Sequence, residues 1–291
     1  MAESEQPPVR WSIEQRLGFI ERRLYWDSQI NRSDLISHFS ISTPQASADL
    51  ARYEQVAPGN MEYDNRAKMY VATPTFKPRS EPSARQYLAQ LQLIADDVLD
   101  ENESWLGSIP SHAIVPRVRR KLEANVLRSF LQAIRHHLAL EVSYQSLQSD
   151  EPSTRWMVPH ALSFDGYRWH ARAWCCRRQR FLDFVLARVL EILGSREEAV
   201  DVSQDKAWNL TVKARIGPNP LLTPTQQKAI SLDYGMIDGV VEVEVRLSLV
   251  YYLKRQLLLD VADRLGPERV QVVLLNSEEI DRALNEVGES L

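Results

Sequence analysis

The sequence predicts a multidomain α+β protein with a helical N-terminal part, a small all-β middle part and a C-terminal part of mixed helices and strands. Three observations predict this order. Apolar residues recur at helical spacing in several segments before residue 138, they alternate with a period of two from Leu140 onward, and the two patterns are interleaved after residue 200. At 291 residues the chain is long enough for two domains of ordinary size or three small ones.

The composition is that of an ordinary globular protein, but its charge is unevenly distributed. The whole chain carries a formal net charge of -4, which by itself argues against a DNA-binding protein. By segment, however, the net charge is 0 over residues 1–80, -5 over 81–116, +7 over 117–190 and -6 over 191–291. An anionic ligand is therefore expected at the middle segment.

Several classes of protein are excluded by what the sequence lacks. Residues 1–8 are acidic, and no stretch reaches the roughly 18 apolar residues of a membrane helix, so we expect neither a signal peptide nor a membrane partner. The adjacent Cys175 and Cys176 cannot form a disulfide framework, and a reducing cytoplasm is the simplest location. The glycine, serine and histidine motifs of familiar enzymes are absent. We predict no enzyme, no catalytic residue, no cofactor and no metal site.

The N-terminal part begins with two predicted helices. The first places four apolar residues on one face, namely Ile13, Leu17, Ile20 and Leu24. The second follows a cap at Asn31 or Ser33 and buries Leu35, Ile36 and Phe39.

A third helix begins at Thr43-Pro44, where a Ser/Thr cap precedes a proline whose missing N–H costs nothing in the first turn. It runs to about Tyr53, with Ala46, Leu50 and Tyr53 facing inward and Gln, Ser and Arg facing outward. Two helices joined by a tight turn, the second bearing such residues, are typical of a helix-turn-helix that reads base edges. The predicted DNA contacts here are Arg32, Ser42, Thr43, Gln45, Ser47, Ala48 and Arg52.

Residues 61–71 alternate around a turn at Asp64-Asn65 and predict a hairpin of the size of a wing. We expect Asn65, Arg66 and Lys68 on this hairpin to contact DNA phosphates. A plain helical subdomain is the alternative, because capped helices with polar outer faces are common. The order of helix, helix, tight turn, capped helix and hairpin favours a winged helix-turn-helix over residues 1–78.

The rest of the chain divides into three predicted segments. Helices over residues 83–99 and 116–138 belong to a linking segment, 79–125, that follows a proline-rich stretch. Strands over residues 140–144, 156–162, 167–175 and 181–187 predict a small β-barrel or β-sandwich in segment 126–200. Segment 201–291 predicts a small α+β domain, with strands over 206–216, 240–249 and 270–274 and helices over 224–233, 250–265 and 277–287.

The middle segment resembles a WYL domain in four blocks, Val142–Ser146, Arg155–His160, Gly166–Ala173 and Phe184–Val189. It departs from the triplet that names the family, because His170-Ala171 follow Trp169 in place of Tyr-Leu. The whole arrangement resembles the bacterial WYL transcription regulators. Residues 43–50, 169–173 and 232–236 look most like those of the BrxR/CapW-type repressors.

The resemblance implies a winged helix-turn-helix, a central Sm/SH3-like β-barrel and a C-terminal α+β (WCX-like) dimerisation domain. It also implies a cytoplasmic homodimer that binds a pseudo-palindromic double-stranded operator and represses a phage-defence operon of the BREX or CBASS kind. An effector bound by the WYL domain would release the DNA.

The strand pattern of residues 168–175 indicates what that effector is. A period of two puts Arg168, His170, Arg172 and Trp174 on one face. Arginines bind phosphate bidentately and aromatic rings stack on bases, so this face suits a nucleotide or a short nucleic acid. The predicted effector contacts are Tyr144, Ser146, Arg155, His160, Trp169, His170, Arg172 and Arg188.

Two alternatives remain open at this point. The arginines of a solvated strand face can instead pair with Asp165, Asp183 or the acidic C-terminal domain. In a different class of function, the chain is a nucleic-acid-sensing adaptor, or a transcriptional activator, that binds single strands through the barrel.

Overall fold

A computed structural model describes residues 8–116, 118 and 120–288. Most of the acidic N-terminal stretch on which the expected lack of a signal peptide rests lies outside the described residues. The chain forms two compact units, Met1–Arg117 and Val118–Leu291, and each is considered by itself. The predicted boundaries at residues 78, 125 and 200 stay predictions.

The first unit contains the predicted winged helix-turn-helix. Its helices are α1 (Pro8–Asp27), α2 (Arg32–Phe39), α3 (Thr43–Val56) and α4 (Ala84–Ala95), with a 3₁₀ turn at Glu101–Glu103. Its strands are β1 (Gln29–Ile30), β2 (Met61–Asp64) and β3 (Met69–Ala72), which form an antiparallel sheet in the order β1-β3-β2. The hairpin β2–β3 is the wing.

The predicted apolar stripes form the core of this unit. Its fully buried members are Leu17, Ile20 and Leu24 of α1, Leu35 of α2, and Ala46, Leu50 and Tyr53 of α3. Of the two predicted cap residues of α2, Asn31 and Ser33, the structure has Asn31 as the cap. Its side chain accepts from the backbone N–H of Asp34 at 3.1 Å, and the Asp34 carboxylate accepts from the N–H of Asn31 at 2.8 Å.

The second unit begins with α5 (Ala124–His136) packed on a five-stranded antiparallel sheet. The strands are β4 (Leu138–Tyr144), β5 (Ser153–Phe164), β6 (Trp169–Cys175), β7 (Arg180–Val185) and β8 (Val189–Glu197), in the order β7-β6-β5-β4-β8. Strands β7 and β8 are the two edges, and within the described residues no pairing between them closes the sheet. A closed barrel is therefore not confirmed.

The C-terminal part of this unit has mixed helices and strands, as predicted. Its elements are α6 (Lys206–Asn209), β9 (Thr211–Pro218), α7 (Pro224–Asp233), β10 (Val241–Arg246), α8 (Val250–Gln256), β11 (Val272–Leu274) and α9 (Ser277–Glu286). The three strands form an antiparallel sheet in the order β10-β9-β11. Short 3₁₀ segments lie at Leu186–Arg188, Val202–Gln204, Leu247–Leu249 and Leu259–Arg264.

Three predicted elements differ clearly from the structure in their bounds, and one strand is missing from the prediction. The helix predicted from Pro116 begins at Ala124, after Glu123, whose extended backbone precedes the first helical residue. The helix predicted over 250–265 ends at Gln256 because Leu258 adopts a left-handed conformation, with φ 60°. Residues 206–209 are helical, since Asp205 caps a short turn before β9, and strand β8 was not predicted at all.

In the part of the chain that the structure covers, no helix has the length and apolar character needed to cross a membrane.

Candidate DNA interface and effector site

Helix α3 is positioned by local chemistry at its N-terminus. Helix α2 ends at Ser40, whose left-handed backbone (φ 51°) turns the chain. Two residues later the Ser42 hydroxyl accepts a hydrogen bond from the N–H of Gln45 at 3.3 Å and caps α3, with Pro44 in the first turn. The connection between the two helices is therefore as tight as the sequence predicts.

A buried ion pair fixes α3 to α1. The Arg16 guanidinium donates to both carboxylate oxygens of Asp49, at 2.6 Å from Nε and 3.2 Å from Nη2, and both side chains are buried. The side-chain amide of Gln45 donates to the same carboxylate at 3.0 Å. A predicted base-reading residue is thus held in one orientation by a charged pair beneath it.

Sequence reasoning did not identify this pair. The available signal was the acidic Asp49 beside the inward stripe of α3 and the basic Arg16 beside the inward stripe of α1. A charge at the edge of an apolar stripe needs a partner.

The predicted DNA contacts lie at the surface of the first unit. Of those on α2 and α3, the exposed ones are Arg32, Ser42, Thr43, Gln45, Ala48 and Arg52, whereas Ser47 is half-buried. On the wing, Asn65, Arg66 and Lys68 are exposed in the loop of residues 65–68. This loop is longer than the predicted turn, and the Asp64 carboxylate shapes it by accepting from the N–H groups of Arg66 at 2.7 Å and Ala67 at 3.0 Å.

The predicted effector residues fall into two groups. In the first, at the end of β4, the Arg155 guanidinium lies over the rings of Tyr144 and Phe184, with its carbon 4.9 Å and 5.9 Å from their centroids. The Tyr144 hydroxyl accepts from the N–H of Val185 at 3.1 Å.

Ser146 and Arg188 lie beside this first group. The Ser146 hydroxyl accepts from the N–H of Gln148 at 3.2 Å, and the backbone carbonyl of Arg188 accepts from the N–H of Gln145 at 3.0 Å.

Arg155, like Arg188, has no carboxylate partner among the described residues. Its Nε is buried without a hydrogen-bond acceptor. Burial lowers the pKa of Arg155, and the nearby positive charges of Arg177 and Arg178 lower it further. These two exposed arginines, which are not among the predicted effector contacts, extend the cationic surface.

In the second group the cations are neutralised by carboxylates. Arg172 donates to Asp205 from Nε and Nη2, at 2.8 Å each, and its Nη1 lies 3.5 Å from Asp183. His160 Nε2 lies 2.9 Å from the same Asp205. Burial alone would raise the pKa of Asp205, but the hydrogen bonds from Arg172 and His160 outweigh it and hold the value at about 2.

A second carboxylate, Asp165, organises the rest of this group. His170 Nε2 lies 3.0 Å from Asp165, and Arg168 Nε donates to it at 2.9 Å. Burial opposes ionisation of Asp165 too, but its hydrogen bonds to His170 and to two backbone amides keep its pKa at about 2. The ring of Tyr252 of α8 lies tilted against that of His170, with centroids 4.9 Å apart, and its hydroxyl donates to Asp183 at 3.2 Å; burial first, and Asp183 second, raise its pKa.

The second group therefore joins the central sheet to the C-terminal part of the unit. The carboxylate pairing offered as an alternative in the sequence analysis is present, on a face where His170 and Arg172 are each only 2% exposed rather than solvated. Trp169 stands apart from both groups, half-exposed against Phe164 with ring centroids 5.1 Å apart. The described residues contain no group of three His, Cys, Asp or Glu side chains that could hold a metal ion.

Comparison with known proteins matches all three parts of the chain. Residues 12–93 match the model described as the BrxR transcriptional regulator winged helix-turn-helix domain. Residues 125–192 match the WYL domain, and residues 211–280 match the BrxR transcriptional regulator C-terminal dimerization domain.

Curated relatives align over nearly their full length. The DNA-binding transcriptional repressor CapW of Stenotrophomonas maltophilia is 43% identical over 100% of this chain and 98% of its own. CapW of Pseudomonas aeruginosa is 44% identical and CapW of Escherichia coli 40%, each covering 94% of this chain and 92% of the relative. The chain therefore belongs to the CapW family of DNA-binding transcriptional repressors, with winged-helix, WYL and C-terminal dimerization domains of the BrxR type.

Proposed function

We propose that this protein is a homodimeric repressor that binds a pseudo-palindromic operator through α3 and the wing, and that an anionic effector bound at the WYL domain releases it. The effector is a nucleotide or a short nucleic acid, and the controlled genes form a phage-defence operon of the BREX or CBASS kind. The protein acts in the cytoplasm and without catalysis. Its relatives are named as DNA-binding transcriptional repressors, which supports the DNA-binding half of this proposal.

The observation that carries the DNA-binding half is the Gln45–Asp49–Arg16 chain beneath α3. An exposed glutamine held at 3.0 Å by a buried carboxylate can present its amide to a base edge without first losing side-chain freedom. Thr43, Ala48 and Arg52 are exposed on the same helix. Arg66 and Lys68 of the wing then supply phosphate contacts that carry no sequence information.

Gel-shift titration of the operator region tests this half. Gln45→Ala and Arg52→Ala are expected to weaken operator affinity by roughly 1–3 kcal/mol, the usual value of a base contact. Gln55→Ala, an exposed glutamine near the end of the same helix, is the matched control and should bind normally. Equal affinity of all three variants would overturn the assignment of α3.

The effector half rests on Arg155 and its neighbours. A half-buried guanidinium that lies over two rings and has no carboxylate partner in the described chain is poised to bind an added anion. By contrast, the Arg172 guanidinium is already occupied by Asp205 and Asp183. Arg155 is therefore the stronger test of the two.

Operator release in the presence of nucleotides or short single strands tests the effector half. Arg155→Ala should bind operator as before and fail to release it, whereas Arg196→Ala, which removes an arginine from the ring of Trp156 on the same sheet, should release normally. Normal release by Arg155→Ala would place the effector elsewhere. Single-strand binding without any operator binding by the unmodified chain would favour the adaptor function instead.

A further inference from the structure

A cleft of about 510 Å³ lies between the β6–β7 hairpin and the C-terminal part of the second unit. One wall comes from the hairpin, the other from residues 204–207 before and within α6, and the end of α9 borders it at Val287–Gly288. The volume is in the range of small-molecule sites, roughly 300–1,000 Å³. None of the residues 179–182 or 204–207 is among the predicted effector contacts.

The charged side chains at the mouth of this cleft are cationic. Arg180 and Lys206 both line it and are exposed, and neither has a carboxylate oxygen within 4.0 Å in the described part of the chain. The carboxylate at the floor, Asp205, is already bound by Arg172 and His160. Two free cations thus face the cleft while its one lining acid is neutralised, which favours an anion.

Aromatic side chains line the same cleft. Trp174 is half-buried and contacts Phe181 with ring centroids 5.1 Å apart. Both residues lie on the β6–β7 pair, next to Arg180. A flat ring entering the cleft can therefore stack on an indole while an attached phosphate reaches the cations.

We propose that this cleft binds a nucleotide, with its phosphate held by Arg180 and Lys206 and its base against Trp174. The inference goes beyond the proposed function, because none of the residues that line the cleft belongs to the Arg155 group at which the effector is placed above. A free nucleotide and the end of a single strand offer the same chemistry, and the experiment below separates them.

The position of the cleft links the binding of a nucleotide to the C-terminal part of the chain. Its floor is the Arg172–Asp205 pair, which joins β6 to the segment before α6 with two bonds of 2.8 Å. A phosphate held by Arg180 of the hairpin and by Lys206, the residue after Asp205, bridges the two sides of that junction. A ligand that binds one arrangement of the junction better than another shifts the population toward it, by an amount equal to its difference in affinity.

Isothermal titration calorimetry on the full chain tests the site directly. The probes are thymidine 5′-monophosphate, a thymidine hexanucleotide and ribose 5-phosphate, the last of which lacks the base. Arg180→Ala and Lys206→Ala should each weaken binding of the nucleotide probe about tenfold, the effect of losing one charge-assisted hydrogen bond. Lys213→Ala, an exposed lysine of β9 outside the cleft, is the matched control and should leave the affinity unchanged.

The comparison of probes completes the test. Tighter binding of the monophosphate than of ribose 5-phosphate supports stacking on Trp174, and tighter binding of the hexanucleotide than of the monophosphate identifies a strand end as the source. Unaltered affinity in both cleft variants, or no binding of any probe at millimolar concentration, overturns the proposal. Operator binding by the unmodified chain is measured before any probe is added: its absence would refute the repressor function, whereas the cleft proposal fails on the calorimetry alone.

Discussion

Replacing Asp205 by asparagine should destabilise the second unit more than neutralising any other acidic residue in the segment 198–205, which joins β8 to α6. Asparagine keeps the size of the side chain and is itself a good helix cap, so the hydrogen bond from the N–H of Trp208, now 3.2 Å, is retained. What changes is the charge that Arg172 and His160 share. Asp205→Asn therefore isolates the electrostatic contribution of the junction.

The structure sets the size of the effect. The pKa of Asp205 falls from an ordinary 3.8 to about 2, and at 1.36 kcal/mol per pH unit the ionised carboxylate is favoured in the folded state by about 2 kcal/mol. Removing the charge also leaves Arg172 buried, and breaking a buried pair costs roughly 3–5 kcal/mol. Asp183 stays 3.5 Å from Arg172 and limits this second cost. We expect a loss of about 3 kcal/mol in the free energy of unfolding.

Urea unfolding at pH 7, followed by circular dichroism, measures this loss. Asp201→Asn is the matched control, because it makes the same chemical change at a carboxylate that is exposed and caps a 3₁₀ turn four residues earlier. The difference between the two variants should depend on pH. Since the pKa of Asp205 is lowered in the folded state, its contribution is complete above about 4 and disappears as the pH falls toward 2.

Two results would refute this reasoning. Equal stability of Asp205→Asn and Asp201→Asn at pH 7 would mean that the buried pair contributes nothing beyond its hydrogen-bond geometry. A stability difference that stays constant as the pH falls below 4 would mean that the carboxylate is not the ionised group.

Three other predictions concern the DNA-binding head and the dimer. Arg16→Ala leaves Asp49 buried without its partner and should cost roughly 3–5 kcal/mol in urea unfolding of the first unit, whereas a cost no larger than that of Arg32→Ala, an exposed arginine, would contradict the pairing. Lys68→Ala should reduce the slope of log affinity against log salt by about 1 in operator titrations, and an unchanged slope would remove the wing lysine from the phosphate contacts. Light scattering at micromolar concentration should give twice the 33.5 kDa of one chain, and a monomer would argue against the dimer.

The sequence predicts well the features that depend on neighbouring residues. The cap at Ser42, the proline at the start of α3 and the buried stripe of Ala46 and Leu50 are local chemistry, and all are present in the structure. The end of α8 is different. Its apolar run continues past Gln256, so periodicity alone predicts a longer helix, and the break comes from the backbone of Leu258.

The site is harder to predict because its charges are settled by distant partners. The period of β6 correctly places His170 and Arg172 on one face, but whether that face is solvated depends on Asp205, which lies 33 residues from Arg172. Pairing of Gln45 with Asp49 is within one helix, yet the charge that orients Asp49 comes from Arg16, also 33 residues away. Sequence pattern gives the direction of a side chain, and only tertiary packing shows what neutralises it.

The neutral charge of the DNA-binding head limits how the proposed repressor gains affinity. Residues 1–80 carry no net charge, and the predicted DNA contacts include only four cations, Arg32, Arg52, Arg66 and Lys68. Each phosphate contact adds about 0.9 to the slope of log affinity against log salt concentration. The electrostatic contribution to the affinity of a single head is therefore small. A second head on a two-fold operator doubles the contacts and fixes their spacing. In the proposed mechanism, an effector that alters the geometry of the dimer therefore acts on the part of the affinity that a single head cannot supply.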